Sequence, residues 1–206
     1  MITKEKLIEL NLLYKEAKPS DIIKKAFEFS HEAVVTTNFR PYEVAILHAV
    51  NLVKSNVDVV WCDTGYNTPQ TYRHANEVIE KLQLIVSLYV PQQTAAYRDV
   101  LMGIPNVDNP KHALFTEQVK LEPFRRAMEI HKPKVWFTNL RKGQTAFRDS
   151  IGIFSVSKEG ILKVSPFYYW SDTDLDAYLE EHKLPNEFKY FDPTKALENR
   201  ECGLHS

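Results

Sequence analysis

The sequence predicts an α/β fold in which helices cover both faces of a mostly parallel sheet. Short β-branched runs recur along the chain, and helical patterns separate most of them. Strands that alternate with helices form βαβ units, whose crossovers make neighbouring strands parallel. A length of 206 residues with 44% hydrophobic residues is typical of one domain with a substantial core. We therefore expect a single, doubly wound domain.

Five short runs rich in Val, Ile, Thr and aromatic residues predict the strands. In chain order they are EAVVTTNF (32–39), VDVVWCDT (57–64), LIVSLYV (84–90), KVWFTNL (134–140) and GILKVSPF (160–167).

The first 121 residues predict two kinds of helix and one loop. In MITKEKLIELNLLYKEAKPS (1–20), charges interrupt every apolar run, as in an amphipathic helix. The segment from Pro41 to Ser55 is apolar nearly all round, which indicates a helix covered on several sides. The segment 103–121 is weakly patterned, and we expect a loop over the site there.

Two further helices are predicted from their caps. Thr68 and Pro69 form an N-cap and first-turn pair for a helix that runs to about residue 82. Ser171 and Asp174 open another helix, which Pro185 ends.

The composition excludes several classes of protein. A net charge of −1 argues against broad nucleic-acid binding, and no run approaches 18 uninterrupted apolar residues. Because no signal-peptide pattern opens the chain either, we expect a cytoplasmic protein that does not enter a membrane. Two cysteines are too few for a disulfide scaffold or a four-cysteine iron–sulfur or zinc site within one chain. The seven histidines lack H-E-x-x-H spacing, so no metal site is expected.

Ligands of such sheets bind outside the carboxyl ends of the strands, which singles out the segments that follow three strands. In TTNFRPYE (36–43), the first residues lie where a helix begins, and helix N-termini attract phosphate or sulfate. Thr36, Thr37 and Asn38 would add donors, and Arg40 a full charge. The alternative is a polar turn that only caps the helix.

The second segment is CDTGYNT (62–68). Asp63 could accept hydrogen bonds from an adenine amino group or a ribose hydroxyl, and Gly65, after Thr64, would let the backbone approach closely. The alternative is an ordinary Asp-x-Gly turn. Cys62 lies inside an apolar strand, which predicts a packed core residue.

The third segment, NLRKGQTAFRDS (139–150), concentrates cationic and amide side chains. Arg141, Lys142, Gln144 and Arg148 fall within eight residues, and arginine binds phosphate in bidentate fashion. The alternative is a solvated basic loop.

Cys202 lies four residues from the C-terminus, in ENRECGLHS. A cysteine there is badly placed to pack and well placed to reach a substrate. Arg200, His205 and the basic loop could lower the pKa of its thiol once the tail folds over a bound anion. The alternative is an incidental terminal cysteine.

Four motifs in order resemble the 3′-phosphoadenylylsulfate (PAPS) reductase family, from about Val34 to the end. ECGLH (201–205) resembles the catalytic signature of that family, and DTGYNTPQTYR (63–73) its Asp-Thr-Gly stretch. TNLRKGQTAFR (138–148) and KVSPFYYWSDTDLDAYLEEHKLP (163–185) are similar to two further family segments. In the first loop, Arg40 stands where the family carries a glycine.

The resemblance implies a Rossmann-like fold of the adenine-nucleotide α-hydrolase type with a mobile C-terminal tail. It implies N-terminal helices (1–31), a nucleotide-binding core (32–170), and a C-terminal helix with a catalytic tail (171–206). It also implies thiol-dependent reduction of PAPS to sulfite and adenosine 3′,5′-bisphosphate during sulfate assimilation. In this mechanism Cys202 is the nucleophile, an S-sulfocysteine forms, and His205 and the three segments bind substrate.

The implied electron donor is thioredoxin or glutaredoxin, with no bound cofactor and no iron–sulfur cluster. A homodimer is left open. Cluster-free reduction of adenylylsulfate (APS) and a non-catalytic nucleotide-binding module also remain as alternatives. An ATP sulfurylase subunit or ATP pyrophosphatase is disfavoured, since TTNFRPYE lacks the Ser-Gly-Gly-x-Asp-Ser loop that those proteins use.

Overall fold

The computed structural model describes residues 2–195. Its helices are α1 (Lys4–Leu13), α2 (Pro19–Phe29), α3 (Glu43–Val53), α4 (Pro69–Leu82), α5 (Ala95–Leu101), α6 (Lys111–Thr116), α7 (Glu122–His131) and α8 (Asp172–Glu181), with a π-helical turn at Glu117–Leu121 and a 3-10 turn at Arg148–Ser150. The strands are β1 (Ala33–Thr37), β2 (Asp58–Cys62), β3 (Val86–Tyr89), β4 (Val135–Phe137), β5 (Phe154–Val156) and β6 (Leu162–Val164). Within residues 2–195, no helix has the length and apolar character needed to cross a lipid bilayer.

The six strands form one sheet in the order β3-β2-β1-β4-β6-β5. All neighbouring strands are parallel except β5, which runs antiparallel to β6. Val34 of β1 is in register with Asp58 of β2 on one side and with Trp136 of β4 on the other. The direction of strand addition therefore reverses between β1 and β4, and a crevice at the carboxyl ends is expected there.

Both faces of the sheet are buried, which confirms the predicted α/β layering. Val34, Cys62 and Trp136 point to one face and cluster with Ala127 of α7. The alternate strand residues point to the other face and pack into a larger cluster with apolar residues of α2, α3, α4 and α8. Because side chains alternate along a strand, β-branched runs without polar interruptions are what two covered faces require.

Two predicted helix starts are confirmed by their capping contacts. The Thr68 hydroxyl accepts a hydrogen bond from the backbone N–H of Thr71 at 3.1 Å, and Pro69 is the first residue of α4. Ser171 and Asp174 form a reciprocal capping box at the start of α8.

Three local predictions were wrong. The first 20 residues do not form one helix, because α1 ends at Leu13 and α2 starts at Pro19, a residue that fits a first turn but not a helix interior. Part of the expected 103–121 loop is helical, since α6 and the π-helical turn bury Phe115 and Val119 completely. The antiparallel strand β5 was not predicted, and its three residues are too few to show an alternation.

Candidate functional site

A cavity of about 380 Å³ lies at the predicted crevice between β1 and β4. The loop after β1 forms one part of its wall, and the end of β4 forms another. Lys120 of the π-helical turn and Arg148 of the 3-10 turn add cationic side chains. The C-terminal strap, defined here as residues 186–195, borders the cavity with Tyr190, Phe191, Asp192 and Lys195.

The first loop segment, residues 36–43 from the end of β1 to the first residue of α3, contributes every residue that the sequence predicted for it. Thr36, Thr37, Asn38 and Arg40 all line the cavity. Trp136 Nε1 donates a hydrogen bond to Thr36 Oγ1 at 2.8 Å, so the Thr36 hydroxyl keeps its own proton to donate.

Glu43, the first residue of α3, turns its carboxylate back into this loop. The Glu43 carboxylate accepts hydrogen bonds from Thr37 Oγ1 at 2.9 Å and from the Asn38 backbone N–H at 2.7 Å. It also accepts from Arg40, through Nε at 2.6 Å and through the backbone N–H at 3.4 Å. Sequence analysis did not single out Glu43, because an acidic residue in a first helical turn is common.

The loop is held in a tight conformation by two asparagines. Phe39 and Tyr42 have φ values of 52° and 67°, a region that costs a non-glycine residue on the order of 1 kcal/mol or more. The Tyr42 backbone N–H donates to Asn186 Oδ1 at 2.9 Å, and its carbonyl accepts from Asn139 Nδ2 at 3.2 Å. These bonds, from the strap and from the end of β4, stabilise the strained turn.

Lys120 is a cavity residue that sequence analysis missed. Its ammonium group is buried and lies 2.6 Å from Asp192 Oδ2 of the strap, with Thr194 Oγ1 at 3.3 Å. Burial raises the pKa of Asp192, but the Lys120 charge and the hydrogen bonds from Lys120 and Thr194 outweigh it, and the net pKa is lowered. No local pattern marks Lys120, since only the tertiary fold brings it to the site.

Of the four binding residues predicted in the basic loop (residues 139–150), only Arg148 lines the cavity, and the loop also contributes Asn139 and Leu140 to the lining. Arg148 lines the cavity and is buried, and its Nη1 donates to Gln144 Oε1. Arg141 lies outside the cavity lining. Its Nη1 lies 2.6 Å from Asp172 Oδ1, and its Cζ lies 5.4 Å from the centre of the Tyr42 ring. Lys142 is exposed, and its ammonium group lies over the Tyr169 ring.

The Asp63–Gly65 segment does not line the cavity. Asp63 Oδ1 accepts from the Gly65 backbone N–H at 2.9 Å, from Asn67 Nδ2 at 2.8 Å and from Tyr72 Oη at 3.0 Å. Burial, followed by the Asp63 charge, raises the pKa of Tyr72 to about 12, which keeps it a donor. With Gly65 at φ +80°, the segment has the geometry of the Asp-x-Gly turn named as the alternative. Thr64 is buried beside it.

The two cysteines differ in what the structure describes. Cys62 reaches the cavity wall but is 6% exposed, and burial raises the pKa of its thiol to about 12. Its prediction as a packed core residue is confirmed. Cys202 and His205 lie outside the described residues. Within residues 2–195, no three or more His, Cys, Asp or Glu side chains come together as metal ligands.

Comparison with known proteins identifies the family. The model of the phosphoadenosine phosphosulfate reductase domain matches residues 32–191. The chain belongs to this family. Among curated PAPS reductases, that of Vibrio atlanticus is 30% identical over 200 residues, covering 84% of this chain and 75% of the relative. The PAPS reductase of an Enterobacter species is 27% identical over 202 residues, covering 84% and 80%.

Solved structures show the same fold. The PAPS reductase of Candida auris, in a phosphate complex, superposes with a TM-score of 0.79 at 24% identity and covers 90% of each chain. An FMN adenylyltransferase of Candida glabrata superposes with a TM-score of 0.59 at 10% identity, covering 87% of this chain and 60% of that one. The PAPS reductase fold is thus shared with other enzymes, as the sequence-based fold class predicted.

Proposed function

We propose that this protein catalyses the thiol-dependent reduction of PAPS to sulfite and adenosine 3′,5′-bisphosphate. Membership of the PAPS reductase family is the observation that carries this proposal. The cavity supports it, because it lies at the switch point of the sheet and has Lys120 and Arg148 in its wall.

The acidic groups of the nucleotide are proposed to bind in the part of the cavity lined by Lys120 and Arg148, with Thr36 as a further donor. Lysine and arginine are common phosphate ligands, and arginine binds in bidentate fashion. Gln144 positions Arg148, and the Gln144 side-chain oxygen also accepts from the backbone N–H of Arg141 at 3.2 Å.

The proposed border of the adenosine end is the Asp63–Gly65 turn. Gly65 is exposed and offers its backbone there. The Asp63 carboxylate holds the turn together through its hydrogen bonds from Gly65, Asn67 and Tyr72.

The proposed chemistry takes place at Cys202. Its thiolate attacks the sulfur of the phosphosulfate, a sulfur–sulfur bond forms, and the bond from that sulfur to the bridging phosphate oxygen breaks. Adenosine 3′,5′-bisphosphate leaves with the electron pair on its oxygen, and Cys202 becomes an S-sulfocysteine. A thiolate of reduced thioredoxin or glutaredoxin then attacks the Cys202 sulfur, which expels sulfite with the electron pair. The second thiol of the reductant resolves the mixed disulfide.

Several associated properties belong to the same proposal. The electron donor is a thioredoxin or glutaredoxin, no cofactor is bound, and the protein works in the cytoplasm, where such reductants keep thiols reduced. A homodimer is the proposed assembly. A cluster-free APS reductase is the second candidate, and the Glu43 carboxylate favours it, since it occupies donors that an additional phosphate could otherwise use.

An intact-mass experiment tests the reaction. Reduced protein is mixed with PAPS, or separately with APS, without any thiol. A sulfonate adduct that maps to Cys202 and disappears with reduced thioredoxin is the expected result, and the better donor identifies the substrate. Cys202→Ser should lose the adduct and Cys62→Ser should keep it. Nucleotide binding without an adduct from either donor would favour a non-catalytic module instead.

A further inference from the structure

The Glu43 carboxylate occupies a ready-made anion-binding position. We define the anion cradle as four donors: Thr37 Oγ1, the backbone N–H groups of Asn38 and Arg40, and Arg40 Nε. All four donate to Glu43 at distances between 2.6 and 3.4 Å. The N-terminus of α3, an 11-residue helix, adds a partial positive charge. This is the coordination that proteins offer to phosphate or sulfate, and here a side chain of the chain itself supplies the anion.

The contacts of Glu43 oppose its displacement by a substrate. The residue is 4% exposed, and both of its carboxylate oxygens are hydrogen-bonded. The adjoining Tyr42 is fixed by Asn139 and Asn186, so the loop cannot open without breaking both bonds. Moving the carboxylate out would also separate it from Arg40, whose side chain is 23% exposed, in a partly buried ion pair.

We propose that Glu43 is a specificity-determining residue that fills the anion cradle permanently. The acidic groups of the nucleotide are thereby confined to the part of the cavity lined by Thr36, Lys120 and Arg148, and the anion cradle takes no phosphate. The inference deepens the proposed function and rests on it for the identity of the nucleotide. Filling the cradle limits how many acidic groups the site accepts at once.

Phosphate titration of Glu43 variants tests the inference. Binding of inorganic phosphate is measured by calorimetry at low ionic strength, in a Cys202→Ser background. Glu43→Ala empties the cradle, and we expect phosphate to bind at least tenfold more tightly than to the parent. Glu43→Gln removes the charge but still fills the cradle, so its phosphate affinity should rise less than threefold above that of the parent. Glu43→Ser replaces Glu43→Ala if the alanine variant does not fold, as judged by thermal unfolding.

Two further variants locate the effect. Arg40→Gln, combined with Glu43→Ala, should abolish the increase in phosphate affinity that Glu43→Ala alone causes, because Arg40 supplies the charge of the cradle. Glu180→Ala is the matched control: it removes the same charge from an exposed position outside the cavity lining and should leave phosphate affinity unchanged.

Clear results would overturn the inference. A folded Glu43→Ala protein with unchanged phosphate affinity would show that the cradle does not bind anions. If phosphate affinity rises as much in Glu43→Gln as in Glu43→Ala, only the charge of Glu43 matters and the cradle is not filled sterically. If the increase persists when Arg40→Gln is added, the new phosphate binds outside the cradle. The titration requires neither Cys202 nor turnover. If Glu43→Ala raises phosphate affinity in the Cys202→Ser background, but the protein that keeps Cys202 forms no adduct in the intact-mass test, the proposed function is refuted and this inference stands.

Discussion

Cys62 shows how burial separates a structural thiol from a reactive one. Its side chain lies within an apolar cluster on one face of the sheet, and its pKa is raised to about 12. At pH 8, about one Cys62 thiol in ten thousand is then ionised, and only the thiolate is a good nucleophile.

We therefore predict that iodoacetamide at pH 8 does not modify Cys62 in the folded protein. Peptide mass mapping after timed alkylation is the measurement, and the same reaction in concentrated urea is the control, where Cys62 should react fully. Equal rates in the folded and unfolded protein would show that the thiol is neither buried nor protonated as described.

The arginines of the basic loop should differ in their effect on substrate binding. Arg148 lines the cavity, whereas Arg141 is engaged by Asp172 and the Tyr42 ring. Arg148→Ala should raise the KM for PAPS at least tenfold with a smaller effect on kcat, because the charge it holds is present in the ground state. Arg141→Ala should raise KM less than threefold. Steady-state kinetics decide the question, and equal effects of the two substitutions would contradict the assignment of Arg148 to the cavity.

Local sequence predicts those site residues whose position follows from the end of a strand. Thr36 lies at the carboxyl end of β1 and Arg40 just beyond it, so the rule for parallel sheets was sufficient to place them. Lys120 is one of 26 lysines and arginines, and only the packing of the π-helical turn brings it to the cavity. Glu43 was missed because its role depends on a side-chain direction that the sequence does not encode locally.

At the scale of elements, α3 and α8 meet through a cluster of ring side chains. His48 Nδ1 lies 2.8 Å from Tyr178 Oη, and the His48 and His182 rings are 4.6 Å apart. Burial, and then the charge of His182, lowers the pKa of His48 to about 4.

Lowering the pH should therefore weaken the packing of the His48 ring between α3 and α8. Between pH 6.5 and 4 the unfolded chain protonates His48 and the folded protein does not, so stability falls as the pH falls through this window. His48→Gln should reduce the slope of the unfolding free energy against pH between pH 4 and 6.5. The reduction should not exceed the slope that one bound proton contributes. Urea unfolding at a series of pH values measures this slope, and above pH 7 the two proteins should differ by a constant amount. Parallel acid limbs would show that His48 does not titrate in this way.

The elements that the sequence predicted well are those with local signals at their ends. Thr68 and Pro69 placed the start of α4 correctly, because capping is a property of adjacent residues. The helical part of the 103–121 segment gave no such signal, since α6 and the π-helical turn are stabilised by burial of Phe115 and Val119 rather than by a regular pattern. Strand β5 was missed for a different reason, because its three residues are too few to show an alternation and only the antiparallel pairing with β6 identifies it.

At the scale of the whole molecule, the C-terminal strap fastens three separate elements to one another. Asn186 holds the loop before α3, the Lys189 carbonyl accepts from Oγ1 of Thr68, the N-cap of α4, at 2.7 Å, and Asp192 pairs with Lys120. The Lys120–Asp192 pair is buried on both sides, with side-chain exposures of 4% and 8%.

Breaking that pair should destabilise the protein much more than breaking a surface pair. Asp192→Asn leaves the Lys120 ammonium group buried without its carboxylate, and we expect a loss of about 3 kcal/mol. Adding Lys120→Met should recover most of the loss, because the buried charge is then gone. Glu28→Gln, which breaks an exposed pair with Lys25, should cost less than about 0.5 kcal/mol. Urea unfolding compares them, and similar losses for Asp192→Asn and Glu28→Gln would refute a stabilising role for the strap pair.

The strand order also has a consequence for how the chain acquires its structure during synthesis. Val34 of the central strand pairs on one side with Asp58, which emerges soon afterwards, but on the other side with Trp136, about a hundred residues later. While the ribosome makes the intervening segments, one edge of β1 has no strand to bind, and non-local pairing of this kind is slow. The nascent protein therefore leaves the β4-facing edge of β1 unpaired until β4 has left the exit tunnel, and chaperones that shield unpaired strands would act in that interval.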